Sequence, residues 1–193
     1  MIQPRGSGWE APATGLGALL REQTAAEHRR AEGGEFQRLL FSGQLPQVIY
    51  VAWLAQLQLI HRALEVRLWR DWEAESWREL TAADRRRSVD QPPAELLGAH
   101  YVLEGSGNGN RMMARGLRAA YGLQGQAGTR SMDPYGDGQP DRWQAFKSAL
   151  DEALPEMHWT RALEGARQCF LALARAGEEI LPAVGTAQPI TEP

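Results

Sequence analysis

The chain has 193 residues, 43% of them hydrophobic and 23% charged, with a formal net charge of -3. That length buries a full core without disulfide or metal staples and fits one domain with tails, while the composition excludes bulk disorder and a collagen-like fibre. The acidic balance argues against nucleic acid as a partner, no stretch approaches the length of apolar sequence a membrane helix needs, and the single cysteine, Cys169, suits a reducing cytoplasm.

Residues 1–14 hold one early Arg and no apolar h-region, so a flexible tail is expected there and not a signal peptide. The first helix is expected from Leu16 to Arg30. Leu16, Leu20, Thr24 and His28 recur every four residues and share one face. Gly33 and Gly34 break it. A second helix spans Glu35 to Ser42 and stops at Gly43. Pro46 suits the first turn of a third, long helix that runs to Glu73. Val48, Tyr50, Val51, Leu54, Leu57, Ile60, Ala63, Leu64 and Leu68 give it a broad buried face. A charged segment, 71–87, follows with Trp72, Trp77 and the run Arg85-Arg86-Arg87, read as a solvated face. Pro92 and Pro93 open the next helix at Ala94.

That helix, Ala94 to Tyr121, carries Glu104-Gly105-Ser106-Gly107-Asn108-Gly109-Asn110 in its middle. Three glycines cost about 1 kcal/mol each there relative to Ala, so they serve something other than helix formation. Glycine lacks Cβ and lets backbone approach a flat ligand closely. The run lacks the Lys-Ser/Thr ending of a phosphate loop. Gly122 ends the helix. A glycine-rich loop follows, then a helix capped by Asp141 that reaches Leu154, and a last helix from Met157 to Ile180. Strand alternation is nearly absent. The expected fold is an all-α, single-domain irregular helical bundle over 15–180, kinked at these glycines, with a second tail over 181–193.

His28 stands out. Glu32 lies one turn later on the same face, where its carboxylate can accept the Nδ1 proton and leave Nε2 free for a metal. Arg21, about two turns earlier, can pair with an anion. No second ligand stands at zinc-like spacing. One nitrogen cannot hold a bare metal ion tightly, but it can be the axial ligand of a haem, whose porphyrin supplies four more nitrogens. His61 reads as a residue bordering the core, His158 stands at a helix start, His100 precedes Tyr101 at a place that could meet a haem edge although no spacing argues for ligation, and Cys169 reads as an inert core thiol. The tryptophans read as packing, and Met112 with Met113 as core filler.

Leu20-Arg21-Glu22-Gln23-Thr24-Ala25-Ala26-Glu27-His28-Arg29-Arg30-Ala31-Glu32 resembles the proximal-helix signature of haem oxygenases. Tyr101-Val102-Leu103-Glu104-Gly105-Ser106 resembles the start of the distal helix in the bacterial, biliverdin-producing members, and Ala63-Leu64-Glu65 is similar to the close of the family's third helix. The resemblance implies haem held between the two helices as both substrate and cofactor. It makes His28 the axial ligand, Glu32 its partner, and Gly105, Ser106, Gly109 and Asn110 the distal catalytic wall. Arg21, Thr24, Tyr101 and Lys147 would contribute to haem binding. The implied partners are O₂ and an electron donor such as a ferredoxin or a flavoprotein reductase. Arg85-Arg86-Arg87 is a candidate docking patch for an acidic ferredoxin. Three departures accompany the likeness. Asn110 replaces a glycine, Ser106 stands where some members carry an acid, and the span from Glu65 to Gly105 is short. Two alternatives therefore stand beside the enzyme: a non-catalytic haem carrier or sensor, and a bundle that binds no haem.

Overall fold

The computed structural model describes residues 15–73 and 94–181, the side chains of 66–73 excepted. Residues 1–14 and 182–193 of the expected tails, Trp77 and Arg85-Arg86-Arg87 lie outside the described residues. Among the described residues there are seven α-helices: α1 Leu16–Gln23, α2 Ala25–Glu32, α3 Glu35–Phe41, α4 Gln47–Glu73, α5 Ala94–Tyr121, α6 Gln139–Ala153 and α7 Trp159–Ile180. Among the described residues there is no strand, and no helix is long and apolar enough to cross a membrane.

The first expected helix is divided. Thr24 has φ -107° and ψ 12° and separates α1 from α2. Its buried hydroxyl donates to the Leu20 carbonyl at 2.6 Å, a local side-chain bond that competes with regular helix geometry. The backbone bonds Thr24 N–Leu20 O and His28 N–Thr24 O bridge the junction, so α2 follows α1 directly. The N-terminus of α1 is capped from another helix: the Gly17 amide donates to Asp151 of α6 at 2.8 Å. An acceptor carboxylate there satisfies an orphan amide and faces the positive helix end.

Two apolar clusters form the core. One gathers Leu16 and Leu20 of α1, Leu96 and Val102 of α5, Leu150 of α6, and Ala162, Ala166 and Phe170 of α7. The other gathers Phe36 and Leu40 of α3, Ile49, Tyr50 and Trp53 of α4, and Met113 and Leu117 of α5, with Met132 from the loop. Helix α5 belongs to both and is the spine of the fold.

The tightest helix contact is α5 on α7. A Cβ on Gly98 would lie 1.8 Å from the Ala162 carbonyl oxygen, and one on Gly165 would lie 1.9 Å from that of Glu95. Backbone touches backbone at this crossing, and only paired glycines permit it. After α5, Gly122 (φ +64°) ends the helix. The following loop is tied down by the Tyr50 hydroxyl, which donates to the Gly128 carbonyl at 2.7 Å.

Several boundaries and faces differ from the sequence expectation. Helix α6 begins at Gln139 with Pro140 in its first turn, so Asp141 lies inside that turn and is not its cap. A 3-10 turn, Glu156–His158, precedes α7. Met112 is exposed while Met113 is buried. On α4, Val48 and Val51 are exposed at 70% and 58%, and Ala63 is exposed too. Val51 fails as a core residue for a definite reason: it lines an open cleft.

Candidate functional site

The cleft has a volume of about 2810 Å³, far beyond a closed small-ligand pocket, and is walled by α1, α2, α4, α5 and α6. All ten site residues expected from the sequence line it: Arg21, Thr24, His28 and Glu32 from α1–α2 and their junction, Tyr101, Gly105, Ser106, Gly109 and Asn110 from α5, and Lys147 from α6. Helices α2 and α5 both pack on α7, which fixes the two walls to one support.

On the α2 wall, His28 Nδ1 lies 3.3 Å from Glu32 Oε2. Both side chains are about half exposed, at 52% and 56%. The imidazole edge packs on the Phe170 ring of α7, with centroids 5.3 Å apart at 78°. Carboxylate and phenyl ring fix the imidazole from two sides and leave Nε2 for a ligand. Thr24 is different. Its hydroxyl is bonded to the Leu20 carbonyl and only 2% of the residue is exposed, so it acts through the backbone that places His28.

On the α5 wall the helix runs unbroken through its glycines. They differ in what they face. A Cβ on Gly105 would come within 3.1 Å of the Trp143 ring, and one on Gly107 within 2.7 Å of the Gln139 amide. These two therefore permit α6 to pack closely on α5. Gly109 has nothing within 4 Å of an added Cβ, so its backbone lies bare to the cleft. The Ser106 hydroxyl donates to the Leu103 carbonyl at 2.7 Å, and the Asn110 amide donates to Ser106 Oγ at 3.3 Å. This chain holds Asn110 in place and leaves its Oδ1 as an acceptor.

The remaining walls carry charge and aromatic surface. Tyr101 packs on Trp143 at 5.2 Å, and Trp143 stacks on Phe146. Burial pushes the Tyr101 phenol up, with the Arg21 charge pulling the other way. Lys147 Nζ lies 5.5 Å from the centroid of the Trp143 ring. Arg21 and Lys147 are thus both cationic groups of the same cleft.

Four lining residues outside the expected ten, Gln139, Trp143, His100 and Glu104, also shape the walls. Gln139, 3% exposed, fills the space beside Gly107 and donates to the Glu104 carbonyl at 3.4 Å. Trp143 backs Gly105. His100 Nε2 lies 3.4 Å from Glu104 Oε1, and the ring meets Phe146 edge-on. A signal for that pair existed, because His100-x-x-x-Glu104 repeats the spacing of His28-x-x-x-Glu32. Among the described residues no group of three or more His, Cys, Asp or Glu could hold a metal ion.

The residues fit a porphyrin. A flat apolar ligand with anionic edge groups needs one axial nitrogen, a bare opposing surface and peripheral cations. His28, the open backbone at Gly109, and Arg21 with Lys147 meet those needs within one cleft.

The all-helical bundle has a haem-oxygenase-like fold. Two solved structures bear this out. The haem oxygenase from Leptospira interrogans is similar with a TM-score of 0.67 at 20% identity, over 86% of this chain and 99% of that one. Haem oxygenase-1 from the cyanobacterium Synechocystis, solved in complex with haem, is similar with a TM-score of 0.67 at 17% identity, over 89% and 96%. No protein-family model matches the sequence, and no curated protein matches it. The shared property is the fold.

Proposed function

We propose that this protein is a haem oxygenase of the cytoplasm, taking electrons from a ferredoxin or a flavoprotein reductase. Bound haem supplies the iron and the macrocycle on which O₂ and reducing equivalents yield biliverdin, CO and ferrous iron. The observation that carries this reading is the exposed His28–Glu32 pair in the same cleft as the bare Gly109 backbone.

Each residue has a task in this scheme. His28 would hold the haem iron through Nε2, with Glu32 accepting from Nδ1 and setting the tautomer. Phe170 keeps the ring from rotating away. Arg21 and Lys147 would pair with the propionates, and Tyr101 would line the same part of the haem site. Gly109, with open space where a Cβ would stand, would admit the ligand close to the backbone. Gly105, backed by Trp143, keeps α5 against α6, and the Asn110–Ser106–Leu103 chain presents a fixed polar group on the distal side.

Hemin added to the purified protein should produce a Soret band that His28→Ala abolishes. Reductant and O₂ should then convert the complex to a biliverdin spectrum. A Soret band with no biliverdin would replace the enzyme with a haem carrier or sensor. The Asn110 side chain, which stands in the cleft where a glycine would leave space, motivates that second reading.

A further inference from the structure

Helix α7 grips α2 at a second point besides Phe170. Helix α1 ends at Gln23 and α2 begins at Ala25, so Thr24 has a helix end on either side. The last carbonyls of α1 attract a cation, and the first turn of α2 favours an acid. One pair of side chains meets both demands. Arg167 of α7 donates from Nη2 to the Gln23 carbonyl at 3.3 Å. Its Nε lies 3.2 Å from Oε1 of Glu27, which stands in the first turn of α2. The two side chains are 38% and 23% exposed, yet Arg167 Nε and Glu27 Oε2 are closed off from solvent. Among the described residues Glu27 Oε2 has no hydrogen-bond partner, so its compensation comes from the charge of the guanidinium beside it.

We propose that Arg167 is a positioning residue for the axial ligand His28, an inference that rests on the haem oxygenase reading. By binding both sides of the Thr24 break it fixes the direction in which α2 leaves α1, and with it the place of His28 in the cleft. His28 follows Glu27 directly, so any shift of the first turn of α2 carries the imidazole along. Phe170 stands three residues after Arg167, so a single turn of α7 supplies both the ion pair at the base of α2 and the ring on which the imidazole packs. The bonds made by Thr24 fix less. Its hydroxyl reaches Leu20 and its carbonyl accepts from the His28 amide, both within the junction, and neither ties the junction to α7. A planar guanidinium, with separate nitrogens for a carbonyl and a carboxylate, suits this task better than the point charge of a lysine. The other ion pair between these helices, Arg30 with Glu178 at 3.6 Å, is exposed on both sides and adds little.

Two readouts test the brace, one of them independent of haem. Arg167→Leu and Glu27→Gln should each weaken hemin binding by roughly ten- to a hundredfold, the loss expected when the support behind a ligand is removed. The double variant should lose no more than the larger single loss, because the two side chains act through one contact, and Arg167→Lys should regain part of it. In the ligand-free protein, the Phe170 ring current displaces the NMR signals of the His28 ring protons. Both single variants should move those signals toward the positions of an unpacked imidazole. Unchanged hemin affinity or unmoved ring signals, whatever the melting temperature does, would reduce Arg167–Glu27 to an ordinary ion pair between helices and overturn the proposal. Additive losses in the double variant would overturn it too. A wild-type protein with no Soret band would sink the haem oxygenase reading, and the ring signals would still decide whether Arg167 places His28. If Arg167→Leu does not fold, Glu27→Gln, which removes only the charge, decides by the same two readouts.

Discussion

Gly109→Ala separates the two demands placed on α5. The glycine lies inside a 28-residue helix, and an added Cβ would meet nothing within 4 Å. Helix propensity alone then acts on the fold. Alanine should stabilise the protein by about 0.5–1 kcal/mol, which raises the melting temperature by roughly 1–4 °C for a domain of this size. The ligand experiences the opposite. A methyl group placed on a surface that a macrocycle should touch costs about 1–3 kcal/mol of overpacking, or about five- to 150-fold in affinity. Circular dichroism melts of the ligand-free protein and hemin titrations of the same preparation measure the two effects side by side. A higher melting temperature with unchanged hemin affinity would show that the bare backbone at Gly109 is not a ligand contact. A lower melting temperature would show that the space beside it is filled.

Gly98→Ala should do the reverse, because its Cβ would lie 1.8 Å from the Ala162 carbonyl oxygen. The helices must separate by more than 1 Å at that point, and a loss of about 3 kcal/mol should appear as a fall of at least about 6 °C in thermal melts; a variant that melts with the wild type would deny the backbone contact. Tyr50→Phe removes the hydroxyl bonded to Gly128 and should cost about 1 kcal/mol in urea unfolding, with the loop over 123–138 exchanging its amides faster; equal exchange would show that the bond does not tether the loop. Stability should fall on acidification in two stages. Burial depresses His61, so the unfolded chain binds its proton first, and stability declines as pH drops below the ordinary imidazole value of 6.5. Glu104, held low by His100, adds a second decline below 4.5 as pH falls through its folded value. His61→Gln should flatten only the first stage in denaturant midpoints followed against pH, and an unaltered slope there would place the first stage elsewhere.

The elements were legible in the sequence because helix periodicity and glycine or proline stops are local signals. The His28–Glu32 pair was legible for the same reason: four-residue spacing on a helix fixes proximity before any tertiary structure forms. The division at Thr24 was not, since threonine at a helical register position shows nothing of a hydroxyl turned back on Leu20. Val51 misled because apolar residues facing a ligand cleft have the same periodicity as those facing a core. The glycine run misled in part. Gly105 and Gly107 serve Trp143 and Gln139, neighbours more than thirty residues away that no local pattern could pair with them. Only the comparison of what each missing Cβ would meet separates Gly109 from the other two.

The crossing of Gly98 on Gly165 gives α5 a fulcrum. Backbone seated on backbone brings the two helix axes close there, and Leu96 and Val102 of α5 pack beside the contact with Ala162, Ala166 and Phe170 of α7. Gly109 lies eleven residues beyond it, an arm of about 16 Å. A rotation of about 10° there carries the glycine-bearing wall through about 3 Å. The angle between α5 and α7 therefore bears on the span of the cleft, and Trp143 and Gln139, seated against Gly105 and Gly107 seven and nine residues from the crossing, brace the arm toward its far end.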